Sequence, residues 1–330
     1  MPAFSFPLPH LRSGVSRQVA VFRRQRRTDR AMARRWIDSF ACCCQCSGKL
    51  KRDAARMHAI FSRIAVLLML LAVTGAVRAV ETVSQIRSYL ADHRLVVLGE
   101  QHGTHETPGF VQELVASYIA DHRPLQLALE LPTSENAALA AYLQSDGGPL
   151  AFGALRASPY WNITPRFHDG RRSEEMLALI DAVRKLSQQG NDIQVFGFDR
   201  AAGAGPPKPG ARDAAMAEEL RARFRALPAD GRMLVLTGNV HGMRRQPRYL
   251  AYPPMTALLQ DLAPYNVRIG AREGNIWGCR PGLGCGRIPL IPYDGPSPRQ
   301  DGADDRDYDL RVWLPRFTVA RMLNAEEAAQ

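Results

Sequence analysis

Four side chains that could bind a metal ion or move a proton lie within one eight-residue segment. The segment is GEQHGTHE, and it contains Glu100, His102, His105 and Glu106. A neutral imidazole binds divalent metals and exchanges a proton near neutral pH, and a neighbouring carboxylate fixes its tautomer. Glycines at 99 and 103 allow a tight turn and a close approach of the backbone. The segment therefore predicts a centre that makes water a nucleophile, either through a metal ion or by general-base catalysis.

Other polar side chains follow further short apolar stretches of the chain. They are Glu130, Asp199, Asn239 and His241. In a parallel sheet the carboxyl ends of the strands meet at one edge, where ligands bind. An acid in this position can instead cap a helix or pair with a buried arginine, and a histidine can be purely structural. The concentration of such groups after strands favours a functional cleft.

Neighbouring aspartate and arginine residues at two predicted helix starts have two interpretations. In HDGR, Asp169 and Arg171 could orient an anionic substrate group, because guanidinium forms a planar fork that matches a carboxylate. They could equally form a salt bridge that positions the following helix. Arg212 and Asp213 allow the same two interpretations. The residues that we expect to contact a substrate are Asp169, Arg171, Asp199 and Asn239.

A short internal repeat links two of these segments. LVVLGEQH at residues 95–102 and LVLTGNVH at residues 234–241 both run from an apolar strand into Gly-x-x-His. The similarity predicts that Gly99 and Gly238 lie side by side, with His102 and His241 facing a shared cleft. A string this short can also recur by coincidence.

The elements that must position these residues alternate along the chain. The predicted strands are Leu95–Leu98, Leu125–Leu129, Ile193–Phe198, Met233–Thr237, Val267–Ala271 and Leu310–Trp313. Apolar spacing of three and four residues predicts helices over Val83–Leu90, Phe110–Ile119, Asn136–Leu143 and Asp213–Leu227. Ser173 can cap a further helix, with Glu174 and Glu175 in its first turn. This alternation predicts an α/β fold with a mainly parallel central sheet flanked by helices.

Two Gly/Pro-rich segments, Ala201–Gly210 and Asp294–Asp307, are predicted to be loops. Neither separates two apolar regions large enough to form independent cores. We therefore expect residues 80–330 to form one domain.

The excess of basic residues is confined to the first part of the chain. The formal net charge is +11, but residues 1–56 hold 13 Lys/Arg and three acids, whereas the remainder holds 30 basic and 29 acidic residues. A near-neutral body lacks the electrostatic surface that a phosphate backbone requires, so we expect no nucleic-acid partner. Residues 1–56 are predicted to be a basic leader, either disordered or upstream of a true start at Met57.

Residues 57–79 have the features of a secretory signal peptide. Basic residues precede an apolar run of 14 residues, Ile64–Val77, and small residues follow at the spacing of a cleavage site after Ala79. A spanning helix needs about 20 apolar residues, so a cleaved signal is favoured over a membrane anchor. We expect a periplasmic or secreted protein with no stable membrane span after cleavage.

Two cysteines, Cys279 and Cys285, remain in the sequence after residue 79. Two cysteines six residues apart in an exported protein favour a disulfide that closes a turn over a pair of free thiols. The earlier CCCQC cluster lacks the paired spacing of a metal site.

Several motifs together resemble a known superfamily. They are GEQHGTHE at 99–106, ALELP at 128–132, HDGR at 168–171, FGFD at 196–199, RDAAM at 212–216 and GNVH at 238–241. They are similar to motifs of the superfamily that joins erythromycin esterases, ChaN haem-uptake proteins and Tiki/TraB-type proteases. The likeness covers most of residues 90–245. It implies that His102 is a catalytic or metal-binding histidine, with further cleft positions at Glu100, Glu106, Glu130 and His241.

Members of that superfamily use the cleft differently, since some are hydrolases, some use a divalent metal and others bind haem. The sequence has no lipid-attachment cysteine after the apolar run, unlike the haem-uptake lipoproteins. Haem would need an axial ligand beside an apolar face. The aromatic pair Tyr160-Trp161 is the candidate for that role, although such a pair is more often part of a core or its rim.

The sequence supports two hypotheses. In the first, an exported hydrolase activates water against an ester or amide of a small-molecule or peptide substrate, using His102, Glu100, Glu130 and His241. One version holds a divalent metal on Glu100, His102, Glu106 and His241. In the metal-free version His102 is the general base, Glu100 or Glu130 orients it, and Asn239 and His241 stabilise oxyanion charge. In the second hypothesis the chain binds haem or iron for uptake without catalysis. A homodimer is compatible with either.

Overall fold

The computed structural model describes residues 83–199, 208–280, 282–292, 299–301 and 307–324. Residues Val77–Gln330 group into one compact unit. The predicted leader and signal peptide, and residues 201–207 of the first predicted loop, lie outside the described residues. Residues 208–210 of that loop form a turn before a helix.

An eight-stranded sheet forms the centre of the described chain. Its order is β3-β2-β4-β1-β5-β8-β7, with β6 paired to β5. The strands are β1 (Leu95–Glu100), β2 (Leu125–Pro132), β3 (Ile193–Asp199), β4 (Arg232–Gly238), β5 (Tyr265–Arg280), β6 (Gly284–Pro289), β7 (Arg299–Asp301) and β8 (Leu310–Phe317). β1 through β5 and β8 pair in parallel, whereas β6 and β7 are antiparallel additions. The prediction of a mainly parallel sheet is confirmed.

Helices cover both faces of this sheet. They are α1 (residues 83–90), α2 (Glu106–Ile119), α3 (Asn136–Leu143), α4 (Pro149–Leu155), α5 (Glu174–Gln188) and α6 (Ala211–Ala226), with short 3-10 turns at Thr133–Glu135, Pro159–Asn162, Pro165–Phe167 and Met255–Leu262. The Ser173 hydroxyl accepts a hydrogen bond from the Met176 amide and caps α5 as predicted. α2 begins four residues before the predicted Phe110, because Pro108 is tolerated in a first helical turn.

The apolar character of the strands follows from burial on both faces. Every residue of β1 and of β4 is buried. Val96 and Leu98 belong to one core cluster, with residues of α2 and α5. Leu95 and Val97, which alternate with them, belong to the other cluster, with residues of α6. Continuous apolar runs such as LVVL are therefore needed, because a strand covered on both sides has no solvent-facing positions.

The prediction of a loop over Asp294–Asp307 is wrong at three residues. Arg299–Asp301 form β7, which pairs with β8 at the edge of the sheet. A three-residue edge strand is too short to produce an alternating pattern, so sequence periodicity gives no signal for it. Residues 293–298 and 302–306 lie outside the described part of the chain. The strand β6 and the helix α4 were also not anticipated from the sequence.

The antiparallel pair β5–β6 is a hairpin that extends beyond the main sheet. A disulfide joins Cys279 and Cys285, which lie directly opposite each other in the pair. Farther along the hairpin, the Trp277 amide donates to the Gly103 carbonyl, and its indole N–H donates to the His168 carbonyl at 3.0 Å. The hairpin therefore contacts the two loops that contain GEQHGTHE and HDGR.

None of the helices in the described residues has the combined length and apolarity that crossing a bilayer would require.

Two glycines allow the GEQHGTHE and HDGR loops to touch. Gly103 and Gly170 both have positive φ, at 71° and 95°. A Cβ on Gly170 would lie 2.5 Å from the Gly103 Cα, which is closer than real Cβ contacts allow. A side chain at Gly170 would thus force the two loops apart.

We predict that Gly170→Ala destabilises the fold more than Gly190→Ala. Gly190 also has positive φ, at 86°, but a Cβ there would meet nothing within 4 Å. Both variants incur backbone strain of roughly 1 kcal/mol, and Gly170→Ala adds an overpacking cost of about 1–3 kcal/mol. Chemical denaturation of the two variants measures the difference. Equal losses would show that the loops separate without cost.

Candidate functional site

The Glu130 carboxylate is the centre of a polar cluster at the carboxyl ends of the strands. Its side chain is 3% exposed. One carboxylate oxygen, Oε2, accepts hydrogen bonds from the Thr237 hydroxyl at 2.8 Å and from the Gly238 amide at 2.7 Å, both at the end of β4. The other oxygen, Oε1, is bound by two arginines. The neighbouring strand β4 thus supplies half of the contacts of this buried carboxylate.

The two arginines each join Glu130 to a second acid. Arg171 lies 2.9 Å from Glu130 Oε1, and its guanidinium also binds both carboxylate oxygens of Asp169 at 3.0 Å. Arg212 lies 2.6 Å from the same Glu130 oxygen and forms a two-point contact with Asp199 at 2.9 and 2.8 Å. Such planar two-point contacts fix the orientation of the guanidinium. The arginines compensate the buried negative charge of Glu130.

His102 is held between two carboxylates. Its Nδ1 lies 2.9 Å from Glu100 Oε1, within hydrogen-bonding distance. Its Nε2 lies 3.7 Å from Glu130 Oε2, which is beyond that distance. Gly238 leaves room for the ring, since a Cβ there would lie 3.0 Å from Nε2. The Nε2 atom is therefore oriented into the cluster without a hydrogen bond from any described residue.

His241 forms a second histidine–carboxylate pair. Its Nδ1 lies 2.7 Å from Asp213 Oδ1, and its Nε2 lies 2.9 Å from Arg212 Nη1. A guanidinium can only donate, so Nε2 accepts, and the ring proton of a neutral His241 must be on Nδ1. The same Asp213 oxygen accepts the Met255 amide at 2.8 Å. In this state His241 orients Arg212 and cannot donate to a developing oxyanion, so the predicted oxyanion role does not suit the observed geometry.

Burial and neighbouring charges shift the protonation of the cluster. Burial raises the pKa of the Glu130 carboxyl, but the charges of Arg171 and then of the histidines and Arg212 outweigh it and hold the pKa well below 4.5. Burial raises the pKa of Glu100 above 4.5, although its hydrogen bond to His102 opposes the rise. Burial lowers the pKa of His102, but the negative charge of Glu130 and the bond to Glu100 leave it raised above 6.5. Glu130 thus stays ionised to a lower pH than an ordinary glutamate.

The structure brings together seven of the residues selected from the sequence. They are Glu100, His102, Glu130, Asp169, Arg171, Asp199 and His241. The paired turns of the internal repeat are adjacent, with Glu100 opposite Gly238 in the β1–β4 register, and both histidines lie next to Glu130. Asn239 joins the cluster through its main chain, because its amide donates to the Glu100 carbonyl at 2.7 Å.

Glu106 and His105, by contrast, bind groups outside this cluster. Both carboxylate oxygens of Glu106 accept hydrogen bonds from Thr318, at 2.8 and 2.7 Å. His105 pairs with Glu175 at 2.9 Å. The Glu106 contacts anchor the start of α2 to the segment that follows β8, and the His105 contact joins it to α5. The predicted metal ligand Glu106 is therefore not directed at His102.

The residues of the described chain do not fit the predicted metal centre. Among them, no group of three or more His, Cys, Asp or Glu side chains has an arrangement that could hold a metal ion. The physical reason lies at the predicted ligand His241, whose Nε2 is bound by Arg212, and at the adjacent Glu130, whose Oε1 is bound by Arg171 and Arg212. A guanidinium at these atoms places a positive charge where a cation would have to bind.

The sequence left the roles of two cluster residues, Arg212 and Asp213, open between a substrate contact and a salt bridge. Arg212 contacts Glu130, Asp199 and His241, and Asp213 contacts His241. Their position at the start of the RDAAM helix was the available signal. The sequence could not distinguish a salt bridge within this segment from contacts with Glu130 and the other cluster residues. Tyr160 and Trp161, nominated for haem, are 8% and 0% exposed and pack edge to face in the core.

We predict that Glu130→Gln lowers the free energy of unfolding by about 3–5 kcal/mol, since it leaves Arg171 and Arg212 without their shared buried partner. The matched control is Glu219→Gln, which removes an i,i+4 pair with Arg223 on the surface of α6. That change should cost less than about 0.5 kcal/mol. Urea denaturation at neutral pH measures both.

Comparison of the wild type with Glu130→Gln also tests how the stabilisation by Glu130 depends on pH. A carboxyl whose pKa is lowered on folding stabilises the protein above its unfolded pKa, near 4.5, and loses this effect as the pH falls through the lowered value. The stability difference between the wild type and Glu130→Gln should therefore shrink on acidification below about pH 4.5. A difference that stays constant to low pH would contradict the assigned ionisation of Glu130.

Solved structures with the same fold as the described domain are known. A protein described as a succinoglycan biosynthesis protein matches with a TM-score of 0.56 and 11% identity, over 72% of this chain and 91% of that chain. A mutant of the erythromycin esterase EreC in its open conformation matches with a TM-score of 0.53 and 12% identity, over 73% and 95%. A protein from Bacillus cereus matches with a TM-score of 0.52 and 12% identity, over 69% and 90%.

No protein-family model and no curated protein sequence match the chain. At such low identity the structural matches establish the fold and not the activity. The resemblance to the erythromycin esterases inferred from the motifs is confirmed at that level. The described residues from 83 onward form one α/β domain with the same fold as the erythromycin esterase EreC.

Proposed function

We propose that the chain is a hydrolase in which His102 activates water for attack on an ester or amide. The observation that carries the proposal is the His102 ring, whose Nδ1 is bound to Glu100 while its Nε2 has no hydrogen bond from any described residue. A histidine oriented by a carboxylate on one nitrogen and open on the other is the arrangement that general-base catalysis requires. The fold shared with an erythromycin esterase supports the same reaction class.

The proposed proton transfers use the two nitrogens of His102 in sequence. When Glu100 and His102 share one proton between Oε1 and Nδ1, the lone pair of Nε2 is available. Nε2 takes a proton from water as the water oxygen bonds to the substrate carbonyl carbon. The resulting imidazolium is stabilised by Glu100 and by the charge of Glu130. As the tetrahedral intermediate collapses, Nε2 returns the proton to the leaving alcohol or amine.

Arg212 is the group best suited to stabilise the negative charge that develops on the substrate. Its side chain is 39% exposed, compared with 13% for Arg171. Asp199 and His241 hold its guanidinium in place, so little reorganisation is needed when charge develops. This assignment replaces the predicted oxyanion role of His241 with a positioning role.

Several finer expectations remain predictions from the sequence. A small-molecule or peptide substrate, export to the periplasm or beyond, and a homodimer are of this kind. The metal-dependent version has no donor set among the described residues, so no step is assigned to a metal. Haem binding has no observation in its favour at this cluster, since the nominated aromatic pair is in the core.

We predict that His102→Ala lowers kcat/KM on activated esters by about 10²–10⁴-fold, the usual contribution of a general base. The matched control is His105→Ala, because His105 lies three residues away in the same loop but pairs with Glu175 outside the cluster. That variant should keep most of the activity. Hydrolysis of a panel of aryl and alkyl esters measures both.

Activity that survives His102→Ala would reject His102 as the base. A haemin titration followed at the Soret band provides the test of the alternative. Saturable haem binding in a protein without His102-dependent turnover would favour the uptake hypothesis over the hydrolase.

We also predict that the acid limb of the pH–rate profile lies above pH 6.5. The base must be unprotonated at Nε2, and the environment of His102 raises its pKa above that value. Activity should therefore rise with pH through a midpoint higher than that of an ordinary histidine. A midpoint at or below 6.5 in kcat/KM would contradict the assigned environment of the base.

A further inference from the structure

A surface at the turn of the β5–β6 hairpin combines exposed apolar side chains with unpaired arginines. The apolar members are 73% and 77% exposed, and they are Phe167 and Leu283. The exposed arginines are Arg166, Arg280 and Arg287. We call these five residues the hairpin patch.

The hairpin contacts the 3-10 turn Pro165–Phe167, which precedes HDGR. A Cβ placed on Gly284 would lie 3.6 Å from the main-chain oxygen of Arg166. Leu283 immediately precedes Gly284, and Phe167 immediately follows Arg166, so the two exposed apolar side chains flank one contact. The Cys279–Cys285 disulfide closes the turn between β5 and β6. The patch is therefore presented on a covalently constrained loop.

The charged side chains of the hairpin patch are all basic. Residues 163–168 and 274–292 contain no Asp or Glu. Among the described residues, none forms an ion pair with Arg166, Arg280 or Arg287. Elsewhere in the domain arginines are commonly paired, as Arg221 is with Asp261 and Arg321 with Glu174. The arginines of the hairpin patch are thus available to a partner that supplies negative charge.

We propose that the hairpin patch docks the domain on an anionic phospholipid surface. Guanidinium groups bind lipid phosphates through planar hydrogen-bonded contacts, and exposed apolar side chains insert at the boundary between headgroups and acyl chains. A second copy of this chain is a poorer occupant, because a symmetric contact would bring arginines against arginines. The docking does not depend on the proposed hydrolase activity.

The test compares the full chain with vesicles of phosphatidylcholine alone and of phosphatidylcholine with phosphatidylglycerol. Residues 1–56 carry 13 basic and three acidic residues, and this net charge of +10 would itself attract anionic vesicles. The readout is therefore local: hydrogen–deuterium exchange of the peptide that covers residues 280–287. We expect anionic vesicles to slow this exchange, neutral vesicles to leave it unchanged, and high salt to reverse the slowing.

Two double variants test the two chemical components of the patch. Arg280→Glu with Arg287→Glu removes the positive charge, and Phe167→Ser with Leu283→Ser removes the apolar contact. Arginines near an anionic surface contribute to binding, so the charge variant should need at least about tenfold more lipid for the same slowing. The apolar variant should lose the slowing at equal lipid.

Matched controls are available elsewhere on the domain. Arg123→Glu changes an exposed arginine just before the amino end of β2, whereas the hairpin extends from the carboxyl end of β5. Leu150→Ser changes a leucine that is 91% exposed on α4. Both controls should behave like the wild type.

Several results would overturn the proposal. They are exchange that anionic vesicles do not slow, equal slowing by neutral vesicles, and an equal loss in the controls. Slowing that depends on protein concentration without lipid would assign the surface to a second copy instead.

Discussion

The buried negative charge of Glu130 is the constraint on which the site depends. A carboxylate that is 3% exposed is stable as an anion only if hydrogen bonds and positive charge replace the water it has lost. β4 supplies the hydrogen bonds, and Arg171 and Arg212 supply the charge. Those arginines in turn bind Asp169 and Asp199, so the compensation of one buried carboxylate determines the positions of four other charged side chains.

The same constraint gives the two histidines different hydrogen-bond environments. Both use Nδ1 to bind a carboxylate, Glu100 in one case and Asp213 in the other. Arg212 is needed to compensate Glu130, and it also binds Nε2 of His241. Nε2 of His102 has no such donor among the described residues. Two similar Gly-x-x-His turns therefore yield one histidine with an available lone pair and one that positions an arginine.

The loops that carry His102 and Arg171 are held by main-chain hydrogen bonds to the segment that follows β8. The segment after β8 accepts the His105 amide at Thr318 and the Glu174 amide at Arg321, both at 2.9 Å. The Ala320 amide in turn donates to the Gly103 carbonyl at 3.1 Å. The GEQHGTHE loop and the start of α5 are thus held by one extended segment, in addition to the Trp277 contacts of the hairpin. Loops joined in this way can maintain the few tenths of an ångström that oriented catalysis demands.

The sequence by itself determined the six principal strands, five of the six helices that flank them and the edge of the sheet at which polar groups collect. These features depend on local periodicity and on the polarity of strand ends, and both are recorded in contiguous residues. It also indicated the pairing of the two Gly-x-x-His turns.

Only the tertiary structure decided which partner each polar side chain takes. Glu106 binds Thr318, which is 212 positions away, and Arg212 joins Glu130 from 82 positions away. Such choices follow from competition among charged groups for a buried carboxylate, and that competition exists only once distant segments have been brought together. The pattern of residue types therefore locates the polar cluster, whereas the three-dimensional arrangement of arginines decides which histidine nitrogen lacks a donor and why no metal ligand set forms among the described residues.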